Sequence, residues 1–227
     1  VAIDYTKRPA QGQGAAPQGG GVSLSKVTLT KSAPSVSLTK QGATGGQMRV
    51  NLQWSSGQPQ KKGLFSRLTG GSGAIDLDLA CLWEFADGSK GVVQALGNAF
   101  QAPYHGAPII RLDGDDRSGA SADGENMFID LSRVNEIRRI LVFAYIYEGV
   151  PNWASADGVV TLYPAAGPQI EVRLDESDPS APTCAIAMLE NRGGELVVQR
   201  EVRYIRGGQA DLDRAYGWGM RWTPGRK

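Results

Sequence analysis

Apolar and polar residues alternate along VSLSKVTLT (residues 22–30), VSLTK (residues 36–40) and MRVNLQW (Met48–Trp54). A period of two sends successive side chains to opposite faces, which marks a strand with one buried face. Pro34 separates the first two stretches, where a residue without an amide proton cannot serve a ladder. The same alternation shapes AIDLDLACLWEF (Ala74–Phe85), the strongest strand of the chain, and shorter strands at Gly91–Leu96, Pro108–Leu112 and Met127–Leu131. ILVFAYIY (Ile140–Tyr147) is apolar without a break, so it is expected at the centre of a sheet. VVTLY (Val159–Tyr163), QIEVRL (Gln169–Leu174), CAIAMLE (Cys184–Glu190) and ELVVQREVRYI (Glu195–Ile205) complete the series. Ser132–Arg139 reads as a short helix with Ser132 as its N-cap. Leu64–Leu68 reads as one helical turn in the long Ser55–Gly73 loop, and ADLDRAYG as a last helical turn. Many short strands separated by Gly, Asp and Pro turns predict an all-β fold with short helices, a two-sheet β-sandwich.

Composition changes this picture at the N-terminus. Pro9–Gly21 (PAQGQGAAPQGGG) holds nothing that buries apolar area, so residues 1–21 are expected as a flexible tail and linker. Residues 22–227 are expected as one sandwich domain. The opening VAIDYTKRPA has no apolar stretch of the secretory kind. No run of about 18 apolar residues exists to cross a bilayer. Cys81 and Cys184 each sit in an apolar run, as buried thiols do. A cytoplasmic location is the economical expectation, although the sequence starts without Met and what precedes Val1 stays open.

The net charge of +1 gives no general reason to expect nucleic-acid binding. Its distribution is uneven. Residues 1–74 carry nine Lys/Arg and one acid, and residues 75–130 carry three and ten. Residues 192–227 are basic again, with eight against four. An acidic centre between basic ends has two readings: complementarity within the fold, or a basic surface for anionic lipid or an acidic partner.

The acidic centre carries the candidate chemistry. Asp76 and Asp78 stand at i and i+2 of a strand, on one face and about 7 Å apart by strand rise. Leu112–Asn126 (LDGDDRSGASADGEN) adds Asp113, Asp115, Asp116, Asp123 and Glu125 among glycines and small residues, with Ser118 and Asn126 as neutral oxygens. Calcium takes six to eight oxygen ligands, and glycine lets backbone carbonyls approach. A donor set without His or Cys disfavours zinc and copper, and magnesium, which demands tighter octahedral geometry, ranks second. An EF-hand register beginning at Asp113 places Arg117 fifth and Gly124 twelfth, where Glu is needed, so no single loop suffices. The loop alone remains either a solvated acidic turn or a cation site, and the Asp76/Asp78 pair alone remains an ordinary wet strand face or half of such a site. Together they favour a cation site assembled from a strand and a long acidic loop.

The order IDLDLACLW, GDDRSG, DGEN and ILVFAYIY resembles the TerD-domain family of tellurite-resistance and stress-response proteins. IYEGVPNWASADG and RAYGWGMRW are most similar to its TerA branch, and the likeness runs from about Val22 to the C-terminus. The resemblance implies a calcium-binding β-sandwich in a bacterial stress response. It implies calcium (Ca2+) ligands at Asp76 and Asp78 on the strand, Asp115, Asp116 and Ser118 in the first loop motif, and Asp123, Glu125 and Asn126 in the later acidic group. It also implies work in a complex with other tellurite-resistance proteins, in the cytoplasm or peripheral to the inner membrane. Asp116 stands where the family has Asn, and Ala120-Ser121-Ala122 lengthens the connection.

An enzyme is not expected. GxSxG, HExxH, P-loop and dinucleotide fingerprints are absent, and the lone histidine, His105, lies in a turn sequence. Two alternatives remain. The first is a carbohydrate-binding or hydrolytic β-sandwich with structural calcium, using Trp153 and nearby acids, with Trp83 and Trp218 as further platform candidates. The second is a peripheral membrane or scaffold module that uses the basic ends and a Leu64–Phe65 turn beside Lys61, Lys62 and Arg67.

Overall fold

The computed structural model describes residues 26–55, 75–113, 124–148, 153–174 and 178–223. The expected linker at residues 1–21 and the Leu64–Leu68 turn with its flanking basic residues lie outside them. The first strands are β1 (Lys26–Thr28), β2 (Ser35–Ser37), β3 (Gln47–Gln53), β4 (Asp76–Phe85) and β5 (Lys90–Val93). They are followed by β6 (Gln101–Tyr104), β7 (Ala107–Leu112), β8 (Glu125–Asp130) and β9 (Ile137–Glu148). The last four are β10 (Val159–Tyr163), β11 (Gln169–Arg173), β12 (Thr183–Arg192) and β13 (Glu195–Ile205). Two short helices, α1 (Trp153–Ala156) and α2 (Gln209–Tyr216), complete the named elements. No helix among the described residues is long and apolar enough to cross a membrane.

The strands form two sheets, as the alternation predicts. One has the order β1-β11-β10-β3-β8-β7-β6 and the other β2-β13-β12-β9-β4-β5. Their facing sides enclose the main core. Met48, Val50 and Leu52 of β3 and Met127 and Ile129 of β8 meet Leu77, Leu79 and Cys81 of β4 and Ile140, Val142 and Ala144 of β9. All are fully buried, and each large apolar side chain so placed contributes about 1.5–3 kcal/mol relative to exposure.

A second core explains why ILVFAYIY shows no alternation. The outer face of β9 presents Leu141, Phe143 and Tyr145, which pack with Ala80 and Leu82 of β4 under Leu212 of α2 and Trp218. β9 is therefore covered on both sides and lies inside its sheet, between β12 and β4. β12 obeys the two-residue period only up to a register shift between Ala185 and Ala187. There Ile186 and Ala187 both turn into the main core, as an extra residue in one strand allows.

The lid over this second core is pinned by one carboxylate. α2 ends at Gly217 in the left-handed region (φ 64°), and the Trp218 N–H donates back to the Asp213 carbonyl at 3.1 Å. Asp213 is itself buried. Its Oδ1 accepts from the Gly219 N–H at 2.8 Å, and its Oδ2 from the Met220 N–H at 2.9 Å and the Trp222 Nε1–H at 3.0 Å. Trp218 Nε1–H donates to the Trp83 carbonyl at 3.1 Å, and the Arg139 guanidinium stacks 3.8 Å from the Trp218 ring. Arg139 is held from the other side by Glu84 at 2.7 Å. The RAYGWGMRW segment is thus the fastening of a third layer.

Several local expectations are corrected. The helix expected over Ser132–Arg139 is a 3-10 turn at Leu131–Glu136 whose cap is Asp130, which accepts the Ser132 N–H at 3.0 Å. β9 already begins at Ile137. The strand expected to reach Leu96 ends at Val93, and Leu96–Asn98 forms a 3-10 turn. β6 carries Pro103 and was not signalled by alternation.

Replacing Asp213 with Ala leaves two part-buried amides and an indole N–H without their acceptor. We expect about 3 kcal/mol of lost stability, read as a lower urea midpoint. The exposed Arg214→Ala, which breaks a pair with Asp211, should cost under about 1 kcal/mol.

Candidate metal centre

β4 pairs with β9 along its whole length, from Asp76 opposite Glu148 to Phe85 opposite Ile137. β5 covers its other flank only from Cys81 to Glu84. Among the described residues the second flank of the first half of β4 is therefore an open edge, and the amides on it need acceptors from elsewhere. Glu125, the first residue of β8 in the opposite sheet, supplies one: its Oε2 accepts the Leu79 N–H at 2.5 Å. Glu125 is 3% exposed and continues the row of Met127 and Ile129 to the end of the main core.

By strand parity Asp76 and Asp78 lie on the face of Ala80 and Leu82, away from Leu77 and Leu79. The open reading of a wet strand face does not hold. Asp76 is 8% exposed and Asp78 is fully buried. Tyr145 stands directly across from Asp78 on β9. Burial first, then the negative charge of Asp78 and a hydrogen bond with it, push its phenol well above the ordinary tyrosine range, and the more weakly felt charge of Glu125 adds to this. One phenol that feels both carboxylates places residues from the two sheets in one electrostatic neighbourhood.

Asn126 is not brought to this cluster. Its side-chain oxygen accepts from Asn51 Nδ2 at 2.9 Å and from Arg49 Nη1 at 3.3 Å. Adjacent strand residues point to opposite faces, so the register that turns Glu125 inward turns Asn126 outward. Asp115, Asp116, Ser118 and Asp123 lie outside the described residues. The segment that carries them joins β7 to β8, and its two ends are tied together by the Asp113 N–H donating to the Asn126 carbonyl at 2.8 Å. Asp113 itself is exposed and pairs with Arg111 at 3.7 Å. Among the described residues no group of three or more His, Cys, Asp or Glu side chains is arranged to hold a metal. The strand half of the candidate site therefore needs oxygens from beyond these residues.

Other candidates have structural roles. Trp153 is fully buried, donates from Nε1 to the Ala181 carbonyl at 2.7 Å and packs edge-on to Tyr204, so it forms no sugar platform. Trp218 belongs to the second core, and Trp83 stacks on Phe85 with centroids 4.4 Å apart. His105 occupies an exposed turn at φ 48°. Both cysteines are buried, and burial pushes the Cys81 thiol far up, which keeps it protonated. Arg203 lies over Tyr216, and Arg206 pairs with Asp178 at 3.2 Å.

Glu125 and its carboxylate partners had a signal in the sequence, the acidic group around DGEN. Tyr145 had none, because its position in ILVFAYIY reads as core.

No family model matches the chain. The tellurium resistance protein TerA of Alcaligenes sp. is 50% identical over 206 residues, which are 91% of this chain and 60% of that protein. The chain thus spans about 60% of the length of the curated relative it matches. A solved protein of unknown function, SAV2460, shares the fold with a TM-score of 0.55 at 16% identity, over 77% of this chain and 98% of that one. A solved homologue of the telluride resistance protein TerD from Streptomyces coelicolor A3(2) aligns with a TM-score of 0.49 at 19% identity, over 74% and 94% of the two chains.

Gly124 precedes Glu125 at φ 60°, and a Cβ there collides with the Leu52 carbonyl oxygen. Gly124→Ala should therefore displace the start of β8 and cost about 2 kcal/mol. The expected readouts are a lower melting temperature and faster hydrogen exchange at the Leu79 amide.

Proposed function

The chain belongs to the tellurium-resistance family on its TerA branch, and from that premise we propose that it is a calcium-binding, non-enzymatic protein of the bacterial stress response. In this reading it works in a complex with other tellurite-resistance proteins, in the cytoplasm or at the inner membrane face. The observation that carries the calcium reading is the burial of two carboxyl groups beside one stretch of β4: Asp78 is fully buried, and Glu125 of the opposite sheet is 3% exposed and accepts the N–H of the next residue, Leu79. Buried carboxylates repel one another and lose hydration, and a bound cation offsets both effects.

The donors suit the ion. Asp76, Asp78 and Glu125 are hard oxygen ligands, and no histidine or cysteine joins them. Asp115, Asp116, Ser118 and Asp123 are the further oxygens that the sequence offers on the β7–β8 connection. Bound calcium would neutralise the strand carboxylates and tie that connection to β4. A non-enzymatic role is favoured by the packing of Trp153, Trp218 and the two cysteines, which leaves them no reactive or platform duty.

Calorimetric titration of metal-free protein with calcium tests the site. The wild type should bind, and the double substitution Asp76→Asn with Asp78→Asn should lower affinity by more than about 100-fold. Chelation should lower the wild-type melting point, because a ligand at 100 times its Kd adds about 2.7 kcal/mol to stability. Unchanged affinity in the double variant would falsify the assignment. Recovery of other family members with the tagged protein from cells, sensitive to chelator, tests the complex.

A further inference from the structure

The face of the seven-stranded sheet that is turned away from the main core carries a row of polar side chains in register. Thr28, Glu171, Thr161, Asn51 and Asn126 stand side by side on β1, β11, β10, β3 and β8. Their strand neighbours Val160, Ile170 and Val172 point into the core, so parity sends the row outward. An outer row is normally wet, yet Asn51 is 2% exposed, Glu171 7% and Thr161 8%. Above Thr161 and Glu171 lies a cleft of about 620 Å³, walled by Lys26, Gln169 and Tyr163 on one side and by Arg173, Val159 and Gln53 on the other. Small-molecule sites commonly measure about 300–1,000 Å³.

The cleft is polar, but its charges cancel. Lys26 and Arg173 both bind Glu171, at 2.7 and 3.1 Å. Burial raises the Glu171 pKa, and the hydrogen bond from Lys26 with the charge of Arg173 outweighs that and holds the carboxyl below the ordinary glutamate range. Asp157, exposed at the end where β10 begins, balances the second cation. What remains is hydrogen-bonding capacity. Lys26 and Arg173 each give one N–H to Glu171 and have further N–H groups to offer. Gln53 and Gln169 add amides that donate and accept, and Thr161 and Tyr163 add hydroxyls. Trp54 and Val159, each half-buried, add apolar surface.

We propose that this cleft binds a neutral, hydroxyl-rich ligand of the saccharide class. A sugar hydroxyl is donor and acceptor at once, so it needs walls that offer both. A neutral ring brings no charge that the cancelled pairs would have to meet, whereas a bare anion would face Glu171 and Asp157. The C–H faces of a sugar need apolar surface, which Trp54 and Val159 supply. An apolar ligand is disfavoured, because it would cover Glu171 and Thr161 without giving them partners. The carbohydrate reading that buried Trp153 cannot serve thus has a place on the outer face of the other sheet. The cleft uses none of the proposed calcium ligands, so either reading can fail alone.

The test titrates the full chain, in calcium chloride, with a panel of neutral mono- and disaccharides and follows its amide chemical shifts. Inorganic phosphate and glycine serve as charged probes. We expect saturable binding of at least one saccharide, with shifts centred on β10 and β11. Thr161→Val keeps a β-branched strand residue and removes the hydroxyl, and it should weaken that binding about 10-fold. Arg173→Gln, at an exposed position, should weaken it similarly and decides the matter if Thr161→Val fails to fold. Absence of saturable binding across the saccharide panel would overturn the inference. So would equal affinity in the folded variants, shifts that map to another face, or binding confined to phosphate or glycine. None of these results bears on the calcium titration above.

Discussion

The bond from the Leu79 amide to the Glu125 carboxylate joins the two sheets where, among the described residues, β4 has a strand neighbour on one flank only. A strand edge inside a sandwich must find an acceptor for each buried amide. Here the acceptor is a buried carboxyl side chain, so the same bond that serves the edge also brings an acidic group into the fold. Asp78 lies fully buried one residue earlier on β4, and Tyr145 stands across from it with its phenol raised by burial, by Asp78 and, more weakly, by Glu125. Closing an edge and burying carboxyl groups conflict, and the proposed calcium site is the reading in which a bound cation offsets that conflict.

The sandwich supports this corner through its asymmetry. The six-stranded sheet is covered on both faces, by the other sheet and by α2 with Trp218. That second cover makes the outer face of β4 and β9 an apolar surround, in which Asp78 and Tyr145 lose water. The same cover is fastened by Asp213, whose three accepted bonds hold the C-terminal segment in place. The layer that the C-terminal residues build therefore covers residues far earlier in the chain, Tyr145 among them.

Much of the fold was legible along the chain. The alternation of MRVNLQW and IDLDLACLW gave strands with a defined inner face, and unbroken ILVFAYIY gave a central one. Misses arose where a local signal competed with another. Asp130 and Ser132 are both good caps, and which of them caps was decided by where β8 ends. β6 holds a proline and no clear period, and it exists because β7 offers it a partner. The site was legible in part. Asp76, Asp78 and Glu125 stood out as acids, but Asn126 was indistinguishable from them until strand parity turned it toward Asn51 and Arg49.

The sequence by itself determined which residues offer oxygen donors, which stretches are strands, and that the acidic loop contains no histidine or cysteine. These are local properties, fixed by side-chain type and by the two-residue period. Only the tertiary structure decided that, among the described strands, β4 has a neighbour on one flank alone along its first half, that Glu125 accepts the Leu79 amide there, and that the Tyr145 phenol feels both acidic residues. Each of those depends on strands from different sheets meeting at one edge, and side-chain burial there is set by layers that no stretch of sequence encodes alone.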